Sequence, residues 1–244
     1  MSLLSDLERV QSEFGRNKWL RWFAIFCRIA LALGFIPSGI VKVTGERFTG
    51  LPSNHPLGHY FDALFLTGFY YTFIGTAQLI TALLLLIPRT ALLGAIFYFP
   101  IILNICVLTY ATRFEGTRIA TLMLLANLFL LAWDYQRLKY ILPFSRHDED
   151  HQVVETNKFP VLFFAFVFAT AISVIVINAF LFDIRPGNSQ IECTNGCKNS
   201  GSPNACQHFC DCIYKQGNLL NVCLNGYHEE KDINANPESK RQPR

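Results

Sequence analysis

Five long apolar runs constrain the fold of this 244-residue chain more than any other feature. A helix that crosses a bilayer needs about 20 mostly apolar residues. Five windows meet this requirement, namely Trp19–Val41, Leu64–Ile87, Thr90–Ala111, Gly116–Trp133 and Phe159–Phe182. Soluble domains carry about 25% charged residues, whereas this chain carries 16%. We therefore predict an all-α, multi-pass membrane protein, which excludes a disordered chain, a fibrous repeat and an ordinary water-soluble enzyme.

The apolar runs divide the chain into six predicted segments. These are an amphipathic N-terminal segment (1–18), a four-helix transmembrane bundle (19–142), a cytoplasmic linker (143–158), a fifth transmembrane helix (159–182), an extracytoplasmic cysteine-rich tail (183–231) and a disordered C-terminus (232–244). Segment 1–18 is too charged for an export leader. Its apolar residues fall on one helical face, which predicts a helix at the membrane surface, and a frayed tail is the alternative.

Basic residues on the connecting segments predict the orientation of the bundle. With a cytoplasmic N-terminus, the inner segments hold Arg9, Arg16, Lys18, Arg21, Arg89, Arg137, Lys139, Arg146 and Lys158, and the outer short loops hold Lys42, Arg47, Arg113 and Arg118. Lys and Arg accumulate on the cytoplasmic side of membrane proteins. We therefore predict a cytoplasmic N-terminus and, after five spans, an extracytoplasmic C-terminus. We further expect the membrane to be a bacterial inner membrane.

The predicted tail holds six of the eight cysteines, namely Cys193, Cys197, Cys206, Cys210, Cys212 and Cys223. A segment this short cannot bury a sufficient apolar core, so its density of cysteines on an oxidising side of the membrane predicts structural disulfides. Six cysteines allow fifteen pairings. A helix is expected to start at Ser202-Pro203 and to stop at Gly217. A second short helix is expected to begin at Asn218 and to run through His228. In the resulting helical hairpin, we expect Cys223 to pair with Cys206 or Cys210.

Metal binding and thiol–disulfide exchange are the competing interpretations of the tail. The segment Cys206-x-His208-x-Cys210-x-Cys212, together with His228, offers sulfur and imidazole ligands suited to zinc or copper(I). The spacing matches no standard zinc module and no CxxC pair occurs. We therefore predict disulfides and no bound metal.

Two cations share one face of the first predicted span. Arg28 stands nine residues into the span, and Lys42 follows fourteen residues later, within about 40° of the same face. A charge at such depth costs a few kcal/mol, and the spans contain no acid that would neutralise Arg28. Either Arg28 extends to the inner face toward Asp134 and Lys42 only ends the helix, or the two cations face a polar cavity, a headgroup or a bound anion.

Buried amides on three other spans extend this polar set. Gln78, Asn104 and Asn127 lie on the second, third and fourth predicted spans. Hydrogen bonds between helices would explain any one of them. Because several helices each carry a polar group at mid-depth, we predict a shared polar interior that binds a ligand through Arg28, Lys42, Gln78, Asn104 and Asn127.

A second polar group is predicted at the outer ends of the spans. The loops there contain Glu46, Arg47, Arg113, Glu115 and Arg118. Such an outer polar rim would suit an anionic substrate or a lipid headgroup, and an ordinary solvated loop is the alternative. His55 and His59 are not expected to form a helical metal pair, because Pro56 and Gly58 interrupt the segment.

The segment from Arg28 to Lys42, with its closing Ser-Gly-x-x-Lys, resembles the first helix of the DoxX family of integral membrane proteins. Gly75-x-x-Gln78 and the Leu-rich run to Ile87-Pro88-Arg89 resemble its second helix, although Gln78 stands where the family often carries Glu. The resemblance covers residues 20–142. It implies a DoxX-like four-helix bundle, and it leaves the fifth span and the cysteine tail as additions.

The resemblance also implies a function. Some DoxX relatives are subunits of thiosulfate:quinone oxidoreductase, and others belong to oxidative-stress assemblies that handle thiols. The expected function is a membrane subunit of a redox or thiol-stress system with quinone or lipid in the bundle, and a protein partner on the extracytoplasmic side. The alternative is a non-enzymatic scaffold that handles a client through the tail. No GxGxxG, P-loop, GxSxG or HExxH motif occurs, and no basic stripe predicts nucleic-acid binding.

Overall fold

The structure is a computed structural model that describes residues 17–135, 137–138, 158–181, 183–187, 189–198 and 200–235. Within these ranges the chain is helical and contains no β-strand, as predicted. The helices are α1 (Lys18–Val43), α2 (Pro56–Leu66), α3 (Phe69–Leu86), α4 (Ala91–Ala111), α5 (Thr117–Trp133), α6 (Val161–Leu181), α7 (Gln190–Cys197), α8 (Pro203–Tyr214) and α9 (Leu220–Ala235). The predicted amphipathic segment and most of the predicted linker lie outside the described residues.

Among the described residues, four helices are long and apolar enough to cross a membrane, and they are α1, α3, α4 and α6. This confirms a multi-pass membrane protein in contact with lipid. Helix α5 has 17 residues, which corresponds to a length of about 26 Å against a hydrocarbon core of about 30 Å. Its crossing of the bilayer therefore stays a prediction.

The second predicted span differs from the structure at its start. Leu64–Ile87 is not one helix, because α2 ends at Leu66 and α3 begins at Phe69. Gly68, at a φ of 57°, breaks the run, since only glycine adopts this backbone conformation without strain. Pro56 also begins a helix rather than preventing one. It occupies the first helical position, where a missing N–H costs nothing.

Helices α1, α3, α4 and α5 surround one apolar core. Its centre contains Leu31, Phe35, Tyr98 and Ile102, each no more than 2% exposed. The rings of Phe35 and Tyr98 stack with their centroids 3.8 Å apart, which ties α1 to α4 across the core. Helix α6 lies at the edge of this bundle, because only two of its residues, Val174 and Asn178, are buried.

One end of the bundle is defined by polar contacts between segments that are distant in the sequence. Arg28 Nη2 lies 3.3 Å from Asp134 Oδ2, and both side chains are less than one-fifth exposed. At the same end, Asn17 Nδ2 donates to the carbonyl of Lys158 at 2.7 Å. For Arg28, the structure therefore shows the first of the two alternatives, an ion pair with Asp134.

The opposite end carries the connection between α1 and α2 (residues 44–55, the 44–55 loop) and the cysteine-rich tail. Asn54 Nδ2 donates to the carbonyls of Ile213 and Asn218 at 2.9 and 2.6 Å. The tail is thus docked on the bundle. We call this end the tail end.

Three disulfides join the helices of the tail, namely Cys193–Cys210, Cys197–Cys206 and Cys212–Cys223. The expected pairing of Cys223 with Cys206 or Cys210 is wrong, because both of those cysteines form disulfides with cysteines of α7. Helix α8 begins after Ser202, and Gly217, at a φ of 71°, lies in the turn before α9. The predicted helical hairpin is therefore present. Helix α9 also includes residues 232–235, which were expected to be disordered.

The alternative metal site of the tail is not assembled. The Sγ atoms of Cys197, Cys206 and Cys210 lie within 4.8 Å of one another, but each belongs to a disulfide and is not a thiolate ligand. His208 Nδ1 lies 2.8 Å from Glu230 Oε2 on the exposed side of the hairpin. The imidazole that the sequence offered as a ligand is therefore directed to a carboxylate.

The ion pair between Arg28 and Asp134 predicts a coupled loss of stability. We expect Arg28→Gln and Asp134→Asn each to lower the free energy of unfolding by about 1–3 kcal/mol, because each leaves a poorly hydrated charge without its partner. The double variant should lose less than the sum, with a coupling of about 0.5–3 kcal/mol. Denaturant titration of the purified protein in detergent measures these values.

Arg137→Gln is the control for that cycle. Arg137 Nη1 lies 4.0 Å from Asp134 Oδ1 but its side chain is 69% exposed, so the change should stay within about 0.5 kcal/mol. Strictly additive single changes would show that Arg28 and Asp134 do not interact.

The disulfide pattern predicts which thiol is released when Cys223 is replaced. In Cys223→Ser, we expect maleimide labelling under denaturing, non-reducing conditions to modify Cys27, Cys106 and Cys212. The wild type should label only at Cys27 and Cys106, which are the free cysteines. Peptide mass spectrometry locates the label. A label on Cys206 or Cys210 in the variant would contradict the pairing.

Candidate functional site

The crossing of α1 and α3 positions the candidate site. Gly39 and Gly75 face each other, and a Cβ on Gly75 would lie 2.8 Å from the Gly39 carbonyl oxygen and 2.6 Å from Lys42 Cβ. Small residues allow two membrane helices to approach this closely. Lys42 and Gln78 each stand three residues after one of these glycines, but α1 and α3 run in opposite directions, so the two residues lie on opposite sides of the crossing and are connected through Ser38.

A cavity of about 470 Å³ lies beside this crossing, toward the tail end of the bundle. Small-molecule sites occupy about 300–1,000 Å³. Its wall is mostly apolar and comes from α1 to α5 and the 44–55 loop. The wall includes Phe35, Ser38 and Lys42 on α1, Ile102, Asn104 and Ile105 on α4, and Ile119, Ala120 and Met123 on α5. Ile119 is 64% exposed, so the cavity reaches the outside of the bundle.

Lys42 is the charged group of the cavity wall. It is 4% exposed, and its Nζ donates to the Ser38 carbonyl at 3.0 Å and to Ser38 Oγ at 2.6 Å. Ser38 Oγ in turn donates to Gln78 Oε1 at 3.2 Å. The Lys42 ammonium also lies 4.1 Å from the centre of the Phe48 ring, a cation–π distance. No carboxylate oxygen of the described residues lies within 4.0 Å of Lys42 Nζ.

The structure brings together three of the five residues predicted to bind a ligand in the bundle. Lys42, Gln78 and Asn104 line the cavity. Arg28 lies at the opposite end, with Asp134. Asn127 is fully buried and its Nδ2 donates to the Ala95 carbonyl at 3.0 Å, which joins α5 to α4. Its contact is therefore the inter-helix hydrogen bond that was the simpler interpretation of the buried amides.

Sequence reasoning did not identify Ser38 and Phe48 as the groups around Lys42. Ser38 precedes Lys42 by four residues, so both lie on one face of α1, and this spacing was the available signal. Phe48 lies on the 44–55 loop, and no local pattern indicates that its ring turns back over the end of α1.

The 44–55 loop is held over the cavity by Asp62 on α2. Arg47 Nε lies 2.6 Å from Asp62 Oδ1, and Ser53 Oγ donates to Asp62 Oδ2 at 2.5 Å. The hydrogen bond from Ser53 and the contacts with Arg47 keep the pKa of Asp62 below its usual range. Residues 48–50 of the loop then line the cavity. Arg47 and Ser53 therefore hold the 44–55 loop against α2.

The predicted outer polar rim is divided in two. Glu46 contributes its backbone, because its carbonyl accepts from the Tyr71 hydroxyl at 2.9 Å. Glu115 and Arg118 instead lie close enough to Arg185 to influence its pKa. Burial and the Arg118 cation lower the pKa of Arg185, and Glu115 raises it. The rim therefore includes Arg185, which follows α6 and lies far from the other loops in the sequence.

Arg113 adopts a left-handed backbone conformation with a φ of 54°. It lies in the turn between α4 and α5, where Phe114 N–H bonds to the Thr109 carbonyl at 3.0 Å. This position of Arg113 ends α4 and lets the chain reverse into α5.

His55 is a structural group. Its Nδ1 accepts from the Leu57 N–H at 3.1 Å, which caps α2. The imidazole is fully buried, and burial lowers the pKa of His55 to about 4. A neutral ring suits a cap that must accept a hydrogen bond. His59 is exposed, so the two histidines do not face one site.

Comparison with known proteins gives one informative similarity. The uncharacterized protein YwoB of Bacillus subtilis (strain 168) is 33% identical over 116 residues, which cover 75% of YwoB and 45% of this chain. This chain belongs to the YwoB family. No family model and no solved structure match the chain. YwoB is itself uncharacterized, so the relationship defines a family but assigns no activity to this chain.

The crossing of α1 and α3 predicts a specific sensitivity at Gly75. The Cβ of Gly75→Ala would meet the Gly39 backbone and Lys42 Cβ, so α1 and α3 must separate. We expect a loss of about 1–3 kcal/mol in the free energy of unfolding. Thermal unfolding followed by circular dichroism in detergent measures the loss.

Gly226→Ala on α9 is the matched control, because a Cβ there meets nothing within 4 Å. It should be neutral or should stabilise the protein by up to about 1 kcal/mol, since alanine favours helix. Equal stability of the wild type and Gly75→Ala would show that the two helices are not in backbone contact.

Proposed function

We propose that this protein is a DoxX-like subunit of a redox or thiol-stress system in a bacterial inner membrane, and that it binds a quinone or a lipid in the cavity at Lys42. The N-terminus is cytoplasmic and the cysteine-rich tail is extracytoplasmic. Helix α5 is the fourth of five spans, which places the 44–55 loop and the tail on one side.

The cavity carries this proposal. Its volume suits a small molecule, its wall is mostly apolar, and its polar groups are concentrated at Lys42, Ser38 and Gln78. An apolar chamber with a few convergent polar groups is the usual form of a ligand site. Because the chamber lies between membrane helices and reaches the bundle surface, the ligand is expected to enter from the membrane.

Two further observations support a DoxX-like subunit. The motif residues Gly39 with Lys42 and Gly75 with Gln78 meet at one helix crossing beside the cavity. The relative YwoB comes from a bacterium, in agreement with a bacterial membrane. Gln78 cannot carry a proton as Glu would. In a redox system, this chain would therefore hold and orient the quinone while a partner subunit supplies the proton-transfer groups.

The tail supports a second candidate, a non-enzymatic scaffold that binds a client protein. Three disulfides fix a helical unit on the bundle, and its surface retains exposed apolar side chains such as Ile191, Leu219 and Val222. Exposed apolar groups on a rigid, extracytoplasmic unit suit a protein contact.

A cavity-filling variant tests the ligand. Ala120 is 5% exposed and lines the cavity, so we expect Ala120→Phe to abolish co-purification of quinone or lipid. Extraction in organic solvent followed by mass spectrometry measures the amount per protein. Ala30→Phe on the exposed side of α1 is the control and should retain the ligand. Equal recovery from both variants would refute a ligand in this cavity.

Removal of residues 185–244 separates the two candidate functions. If the bundle carries the function, the truncated protein should still insert, bind its ligand and rescue a strain that lacks the full chain. Loss of rescue with normal insertion and normal ligand content would instead support the scaffold.

A further inference from the structure

Two of the cations on helix α1, Arg28 and Lys42, have contrasting surroundings. Arg28 has an acid, Asp134, at 3.3 Å. Lys42 is more deeply buried, at 4% exposure, and has only neutral partners, namely Ser38 and the Phe48 ring. A buried ammonium is stable only when a counter-charge or a full set of acceptors replaces its water. The described surroundings of Lys42 therefore lack a counter-charge for its ammonium group.

The hydrogen bonds of Lys42 indicate where the missing acceptor would bind. An ammonium has three N–H donors, and two of them point to acceptors of Ser38. The third donor is left for a group outside the two Ser38 contacts. Because Lys42 lines the cavity, the acceptor that completes its set can come from a molecule in the cavity.

The acids of the 44–55 loop and of α2 do not supply the counter-charge. Asp62 on α2 has both of its oxygens occupied, one by Arg47 and one by Ser53. Glu46 follows Lys42 by four residues, but within the described chain no carboxylate comes within 4.0 Å of Lys42 Nζ.

We propose that the occupant of this cavity is an amphiphile with an anionic headgroup, a carboxylate or a phosphate, and that the anion binds Lys42 Nζ. This inference rests on the proposed ligand function of the cavity and names the chemistry of the ligand. Gln78 and Ser38 lie beside the headgroup. Ile102, Ile105 and Ile119 provide an apolar wall for an acyl or isoprenoid chain.

A charged headgroup fits this site better than the neutral carbonyl of a quinone. Both a carbonyl and an anion can accept a hydrogen bond from the ammonium, but only an anion neutralises its charge. A neutral acceptor leaves the cost of the uncompensated buried charge in place.

Direct binding of matched probes tests the proposal. The probes are oleate, oleoyl lysophosphatidate and methyl oleate, which share one chain and differ in headgroup. Native mass spectrometry of the full-length protein in a neutral detergent measures the dissociation constants. We expect at least one anionic probe to bind the wild type at least tenfold more tightly than methyl oleate. The stronger of the two anions identifies the headgroup as a carboxylate or a phosphate.

Substitution of Lys42 assigns that preference to its charge. Lys42→Met should weaken the anionic probes at least tenfold and leave methyl oleate unchanged, whereas Lys42→Arg should retain the preference. An unchanged preference in Lys42→Met, or equal binding of all three probes to the wild type, would overturn the anionic headgroup. In the latter case the cavity still binds a ligand, so the proposed function survives.

Two controls keep the test decisive. Ala120→Phe retains Lys42 but fills the cavity, so it should abolish binding of every probe. Persistent anion binding in Ala120→Phe would place the anion elsewhere and overturn the inference. If Lys42→Met fails to fold, as judged by its thermal unfolding, Ser38→Ala replaces it. This variant removes one contact that positions the ammonium and should reduce the anion preference. An unchanged preference in Ser38→Ala would then count against the inference.

Discussion

The cost of placing a charge in hydrocarbon governs this bundle. Two of the cations on the long apolar helix α1, Arg28 near its middle and Lys42 at its end, have different surroundings. Around Arg28, the end of α5 supplies Asp134, so that charge is neutralised within the protein. Around Lys42, the helices enclose a cavity and supply only neutral acceptors. The same constraint therefore produces a closed structural contact at one end and a chamber at the other.

The close approach of α1 and α3 makes this difference possible. With no side chain on Gly39 or Gly75, the two backbones come into contact, and the polar residues three positions further along lie on opposite sides of the contact because the helices are antiparallel. The spacing that carries the family resemblance is thus the spacing of a helix crossing. Its physical role is to bring Lys42 and Gln78 close enough to share Ser38 beside the cavity.

Much of the architecture could be predicted from the sequence, because membrane helices depend on local composition. The apolar runs located the main helices, and the shortage of acids in the spans directed attention to Asp134 as a partner of Arg28. The start of α8 at Pro203 and the turn at Gly217 followed from local backbone preferences. The grouping of Lys42, Gln78 and Asn104 around one cavity agreed with the expectation of a shared polar interior, whereas Asn127 bonds to a backbone carbonyl of α4.

The remainder depended on information that no local pattern contains. Helix α7 buries only Cys193 and Cys197, so it has no periodic apolar signal, and the disulfide partners follow from the way it packs on α8. The sequence did not predict helix α2, because a single sequence does not distinguish a proline that begins a helix from one that interrupts a helix. Arg185 joins Glu115 and Arg118 only through the tertiary fold, as Phe48 joins Lys42.

The double hydrogen bond of Asn54 has a consequence for the order in which the protein matures. Its two acceptors are 159 and 164 residues further along the chain, and they lie within the segment closed by the disulfide between Cys212 and Cys223. During synthesis, the bundle helices emerge long before that segment exists. The wall of the cavity formed by the 44–55 loop therefore lacks these two hydrogen bonds until residues 213–218 have been synthesised and have packed against Asn54. Residues late in the chain thus secure a chamber wall that residues early in the chain form.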